Sequence, residues 1–257
     1  MKLPLSVTII TKNEEERLPY TLKSVQNIAD EIILVDSGST DKTLQIAKEF
    51  NCKIFHKDWN GYGEQKIFAE EQTKNNWILN LDADEELSES LRENIIKLFQ
   101  NSKIEEFPAY KMFWQMLFLG QEKPPIFAVG SNFVRLYNKE KAGFSASKVH
   151  DSVLLKTPSE KLGILQGYVY HRCFKSMKHW AEKINSYSTL QAEDWVKSGR
   201  KPPTLARMIF EPIFAFLKSY FLRRYFIYGV DGYFASIIYA YAKMLRLAKV
   251  RELFKNI

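Results

Sequence analysis

Short apolar runs alternate with stretches of helical spacing over the first hundred residues. Residues 5–11 (LSVTIIT) form a β-branched run that predicts a buried strand. Leu18, Leu22, Val25 and Ile28 then recur at helical spacing. Asn13 stands ahead of them as a cap, and Pro19 falls near the helix start, where proline is tolerated. The pattern continues with a strand over 31–36 (EIILVD), a turn (SGSTDKT), and a helix carrying Leu44, Ala47 and Phe50. A strand over 53–57 (KIFHK), a helix over 63–73 and a strand over 77–82 (WILNLD) come next. Ser88 then caps a helix carrying Leu91, Ile95 and Leu98. Apolar strands alternating with helices predict an α/β fold, with a mostly parallel sheet covered by helices on both faces. Ligands of such sheets bind at the carboxyl ends of the strands. Three of these strands end in polar clusters, TKNEEE, VDSGSTD and LDADEE, which therefore belong together on one edge.

The pattern changes after Pro108. Segments 109–120, 132–139 and 164–171 predict longer, mixed strands, followed by a helix with Met177, Trp180, Ile184, Tyr187 and Leu190 on one stripe. The segment SGRKPP (198–203) punctuates the chain, and 204–255 predicts helices dense in aromatic and basic residues. The expected organisation is a domain over 1–200 and a C-terminal helical extension over 201–257.

Composition changes this picture in one respect. The chain of 257 residues is 46% hydrophobic and 26% charged, enough to bury a sizeable core. Its net charge of +7 resides wholly in residues 201–257, which hold ten Lys or Arg against three acids. That tail has no run of about 20 apolar residues, so no spanning helix is expected there. Its mixture of aromatic and basic residues predicts either a helix lying on an anionic membrane surface or a subdomain packed on the core. A membrane partner accounts for the basic excess without nucleic acid. Cys52 and Cys173 have no redox or metal-ligand spacing and are read as reduced thiols of a cytoplasmic protein. The amino-terminal apolar run is too short for a signal peptide.

The candidate chemistry lies in LDADEE. In an extended chain Asp82 and Asp84 share a face. Two carboxylates that close repel each other unless a cation lies between them. Mg²⁺ or Mn²⁺ takes few protein carboxylates and completes its shell with phosphate oxygens and water, so a D-x-D at a strand end suits a metal–diphosphate site. Glu85 is read as orienting the metal ligands, and Glu86 as lying in the first turn of the next helix, where the dipole favours it.

In order, SVTIITKNEEERLPYTLKSV, EIILVDSGSTDKT and WILNLDADEEL resemble family 2 glycosyltransferases of the GT-A, Rossmann-like fold. Four further segments, DWNGYGEQKIFA, KVHDSV, YHRCFKSMKHWAEKINSYS and YGVDGYFASIIYAYAKM, resemble the KdtX/WaaE-type lipopolysaccharide core glucosyltransferases and extend the likeness over nearly the whole chain. The resemblance implies a UDP-sugar donor (UDP-glucose), a divalent cation, inversion at the anomeric carbon, and an inner-core heptose acceptor at the inner face of the cytoplasmic membrane. By motif, Thr11, Asn13, Glu14 and Asp36 hold the nucleoside, Asp82 faces the ribose or a metal-bound water, and Asp84 ligates the metal. Relatives often carry a second acid after Asp36, where this chain has Ser37. Lys66 is read as a contact to the nucleotide or its phosphates, or as a solvated helix lysine. His171 is read as a diphosphate contact or a structural histidine. Asp151, in VHD, is read as the base that takes the acceptor proton, with His150 as its partner. Another acceptor (a lipid-linked sugar, a polysaccharide or a peptide) and a basic membrane- or nucleic-acid-binding protein on a degenerate scaffold are the alternatives. A phosphatase is disfavoured, because its D-x-D ends the first strand rather than the fourth.

Overall fold

The computed structural model describes residues 2–145 and 152–255. His150 and Asp151 lie outside the described residues. Two compact units are formed, one from 1–116 with 130–172 and the other from 117–129 with 173–257.

The first unit is built on a single large sheet. Its strands are β1 (Leu5–Thr11), β2 (Glu31–Asp36), β3 (Lys53–His56), β4 (Trp77–Asp82), β5 (Glu85–Leu87), β6 (Ala109–Met116), β7 (Gly130–Asn138) and β10 (Gly163–His171). Their order across the sheet is β3-β2-β1-β4-β7-β6-β10-β5. The pairings β1–β2, β1–β4, β2–β3 and β6–β10 are parallel, and β4–β7, β6–β7 and β5–β10 are antiparallel. Only β7 and β5 therefore run against the rest. The carboxyl ends of β1, β2, β4 and β10 share one edge, where Thr11 pairs with Asp36 and Ile10 with Asp82. A separate hairpin joins β8 (Ala142–Phe144) to β9 (Val153–Leu155).

Helices cover both faces. Val7, Ile9, Leu34, Leu79 and Leu81 point to one face, where they bury α1 (Leu18–Val25), α2 (Thr43–Glu49) and α4 (Glu89–Gln100) through Leu22, Ala47 and Leu91. The alternate residues Ile10, Ile33 and Val35 meet Ala69 of α3 (Tyr62–Glu71) on the other face. This alternation is why the strands read as continuous apolar runs: both sides are covered. Proline lies in the first turn of α1, as expected. Asn13 does not cap that helix. It adopts a left-handed backbone (φ 56°) and ties together the loops after β1 and β2 instead.

The second unit consists of α5 (Met177–Lys197), α6 (Leu205–Leu217), α7 (Gly229–Lys255) and the segment 117–129. Ala192, Trp195, Leu247 and Val250 form its core, joined by Met208. A second cluster gathers Phe118, Phe174, Trp180 and Tyr228. The unit therefore begins ahead of the punctuation at 198–203. Among the described residues, no helix is long and apolar enough to cross a membrane.

Candidate active site

The acidic cluster does not continue β4 as an extended strand. The chain turns at Ala83 and Asp84 and re-enters the sheet as β5. The turn sends the two aspartates to different partners. Asp82 Oδ1 lies 2.8 Å from Lys66 Nζ, and its Oδ2 lies 3.3 Å from Arg135 Nη2. Asp84 Oδ2 lies 3.0 Å from Arg17 Nη1 and 3.1 Å from His171 Nε2. Burial acts to raise both carboxyls. Lys66 and then Arg135 outweigh it at Asp82, and His171 and then Arg17 do so at Asp84, so both stay below the ordinary carboxylate range. Both groups are ionised at neutral pH.

His171 reaches this place through strand pairing. β5 runs antiparallel to β10, with His171 opposite Glu85 and Tyr170 opposite Glu86. The Arg172 amide donates to the Asp84 carbonyl at 2.9 Å and fixes the turn against the end of β10. Arg17 Nη1 donates to the Arg172 carbonyl at 2.6 Å, joining the start of α1 to the same corner. The His171 ring packs against Trp114, with centroids 4.5 Å apart.

Glu85 is buried at the centre of the cluster. It accepts from the Asp82 amide at 3.1 Å, from Trp114 Nε1 at 3.2 Å and from Arg135. Glu86 belongs to β5 rather than to α4, and it pairs with Arg172 at 2.9 Å. The reading of Glu86 as a first-turn helix residue is therefore corrected: the α4 cap is Ser88, whose Oγ accepts from the Leu91 amide. Lys66 is fully buried, which removes its reading as a solvated lysine. Its ammonium sits 5.2 Å from the Phe144 ring, so α3 carries the stem of the β8–β9 hairpin as well as the partner of Asp82. The Ser145 amide donates to the Ser152 carbonyl at 3.4 Å, closing the described part of that hairpin.

The loops after β1 and β2 hold each other. Asn13 Oδ1 accepts from the Thr40 amide at 2.8 Å, and the Glu14 amide donates to Thr43 Oγ1 at 2.7 Å. The Glu14 carboxylate grips Arg17 through both oxygens, at 2.6 and 2.8 Å. Asp36 accepts from the amides of Gly38 and Ser39 at 2.8 and 2.9 Å. Thr11 differs from these residues. Its hydroxyl oxygen is buried and has no hydrogen-bond partner among the described residues, an arrangement folded proteins avoid unless the group serves something else.

Sequence reasoning passed over Arg17, Arg135 and Trp114. Arg135 left a signal: a charged residue within the apolar run FVRLY needs a buried partner. Arg17 left none, because it follows three acids at a helix start and resembles a solvated residue. Among the described residues, no group of three or more His, Cys, Asp or Glu is arranged to hold a metal. What the centre of the edge offers is the partly buried carboxylate–imidazole pair of Asp84 and His171; His56 and Asp58, at the end of β3, form a second pair that is exposed.

Residues 6–105 match the family Glycosyl transferase family 2. The chain is similar to an uncharacterised glycosyltransferase of Rickettsia typhi, 44% identical over 255 residues that span 97% of this chain and 87% of the relative. It is also similar to the lipopolysaccharide core biosynthesis glycosyltransferase LpsC of Rhizobium meliloti, 32% identical over 258 residues that span 98% of this chain and 93% of that one. Among solved structures, S. aureus TarS 1–349 in complex with UDP-GlcNAc aligns over 100% of this chain and 92% of that chain, with a TM-score of 0.45 and 16% identity.

Proposed function

The chain belongs to glycosyl transferase family 2, and we propose that it transfers glucose from UDP-glucose, with inversion, onto an inner-core heptose of lipopolysaccharide at the inner face of the cytoplasmic membrane. Its fold is GT-A: a mostly parallel sheet with helices on both faces, followed by a C-terminal helical part. The observation that carries the proposal is the meeting of Asp84 and His171 at the carboxyl edge of the sheet. The acceptor is supported by the likeness to the lipopolysaccharide core enzyme of Rhizobium meliloti.

A divalent cation fits this donor set. One carboxylate and one imidazole suit Mg²⁺ or Mn²⁺ when diphosphate oxygens and water complete the shell. Asp84 and His171 would hold it, and it would neutralise charge on the departing diphosphate. Asp82 fits less well as a ligand, since each of its oxygens already faces a cation. Its role is to hold Lys66 and Arg135 under the donor pocket and to face the ribose. Thr11, with its unpartnered buried hydroxyl, is a nucleoside contact. Asn13, Glu14 and Asp36 shape the loops around the nucleoside and reach it with whatever capacity their internal bonds leave. The base is Asp151, with His150 beside it. That assignment rests on the motif, which falls in sequence between β8 and β9 and outside the described residues.

The test is direct. Purified protein, UDP-glucose, Mn²⁺ and a truncated inner-core acceptor should give a product heavier by one hexose. UDP with Mn²⁺ at a hundred times its dissociation constant should stabilise the fold by about 2.7 kcal/mol. Asp84→Asn should abolish the Mn²⁺-dependent part, and Asp151→Asn should keep the stabilisation and stop transfer. Absence of stabilisation in folded protein rejects the donor site. Transfer to a different acceptor alone rejects the heptose assignment, and full activity of Asp151→Asn rejects the base.

A further inference from the structure

The second unit leaves a large apolar surface uncovered. On α6, Met208 joins the core with Trp195, Leu247 and Val250, and Glu211 pairs with Arg207 and Arg246. These residues define the side of the helix that faces the rest of the unit. At helical spacing Leu205, Ile209, Phe210, Ile213, Phe214 and Leu217 fill the opposite half. All six are exposed, Leu205 to 71% and Phe214 to 65%, and no residue of α6 is buried. The amino-terminal half of α7 repeats the pattern. Val230, Phe234, Ile237 and Tyr241 form one stripe along that helix, all exposed. The connection between the helices adds Phe221, Leu222 and Phe226, also exposed. A soluble surface rarely carries so many neighbouring large apolar side chains without a partner.

Charge identifies the partner. Between 198 and 241 the chain has six basic residues and two acids, Asp231 and Glu211, the latter already paired. Lys218, Arg223 and Arg224 are exposed within this stretch. In a two-fold dimer this basic face would meet its own copy, charge against like charge. An anionic bilayer supplies the opposite sign and a place for the apolar side chains together. Spanning is excluded for α6, which is 13 residues long and carries Glu211 and Pro212.

We propose that α6, the connection after it and the amino-terminal half of α7 form a membrane-docking face. The helices lie in the plane of an anionic bilayer, with Phe, Ile and Leu at the headgroup–acyl boundary and Lys and Arg against lipid phosphates. The residues of this surface all belong to the second unit, and its occupancy needs neither donor nor acceptor.

The test is sedimentation of the full chain with vesicles of phosphatidylcholine alone or mixed with phosphatidylglycerol. Binding should be at least tenfold tighter on the anionic vesicles and should weaken with added salt. Phe210→Asp with Phe214→Asp should abolish it, and Arg223→Glu with Arg224→Glu should reduce it at least tenfold, in protein whose circular dichroism matches the wild type. Should the first pair fail to fold, Phe214→Trp serves instead: its difference fluorescence from wild type should shift to the blue on anionic vesicles and not on neutral ones. No vesicle binding, or binding indifferent to these changes, overturns the proposal. So does a dimer in solution that Phe210→Asp with Phe214→Asp turns into monomer, which would make the face a contact between copies.

Discussion

Lys66 and Asp82 are unequal members of their ion pair. The lysine side chain is fully buried, while the aspartate keeps 30% of its side chain open and has Arg135 as a second partner. Removing the aspartate therefore takes a carboxylate away from a fully buried ammonium. Removing the lysine leaves a carboxylate that still has a cation and some water. Breaking a buried pair by removing one partner costs about 3–5 kcal/mol, and the partly open aspartate puts Asp82→Asn at about 3 kcal/mol. Lys66→Met should cost about 1.5 kcal/mol, the low end for a hydrogen bond to a charged group. Urea denaturation at neutral pH measures both, and equal losses would contradict the geometry. The pH dependence follows from the lowered Asp82 carboxyl. A depressed folded-state value adds stability that is complete above the unfolded value of about 3.9 and is lost as pH falls toward the folded one. The gap between wild type and Asp82→Asn should therefore narrow as pH drops below about 4. The aspartates themselves were legible, because a D-x-D closing an apolar strand is a local pattern. Their cations were not. Lys66, Arg17 and Arg135 come from three separate elements, and only the folded chain assembles them.

At the scale of elements, β1, β2 and β4 fall where the apolar runs place them, since a strand buried on both faces announces itself residue by residue. β5 could not be found that way. It has three residues, of which only Leu87 is apolar, and it exists because β10 offers an edge some eighty residues later. The same pairing puts His171 beside Asp84, so the candidate metal pair depends on the register of β10. That register passes through a bulge between Leu165 and Tyr168. Gly167, at φ 107°, forms the bulge, and a Cβ there would lie 2.6 Å from the Leu91 backbone of α4. Asn94 of α4 also holds the bulge, donating to the Gln166 carbonyl at 3.0 Å. Gly167→Ala thus meets both backbone strain and a clash with atoms that cannot rotate away. Gly199 shares the left-handed conformation, at φ 68°, but has open space around it. Gly199→Ala should cost about 1 kcal/mol from strain alone, and Gly167→Ala about 2 kcal/mol or more. Denaturant midpoints of the two variants make the comparison. Similar losses would mean that α4 yields to the added methyl group.

The whole chain divides its tasks between its two units. The first carries the acids, cations and strand ends of the donor edge, and the tail of the second holds the entire net charge. The charge asymmetry was legible from residue counts. The unit boundary was not, because SGRKPP marks a turn inside the second unit: Trp195 Nε1 spans it by donating to the Lys201 carbonyl at 3.0 Å, and Trp195 shares a core with Leu247 and Val250 from the far end of the sequence. Such separated contacts leave no periodic trace. The division has a kinetic consequence if the second unit docks on lipid. Anchoring an enzyme to the surface that holds its acceptor raises the effective acceptor concentration without any new contact at the reacting atoms. Phe210→Asp with Phe214→Asp should therefore slow transfer to an acceptor embedded in anionic vesicles at least tenfold. The same variant should keep its rate on a water-soluble oligosaccharide acceptor, because the donor edge is untouched. The measurement is the ratio of the two rates in wild type and variant. Equal loss on both acceptors would mean that α6 supports the transfer step itself, and equal retention would mean that docking does not deliver the acceptor.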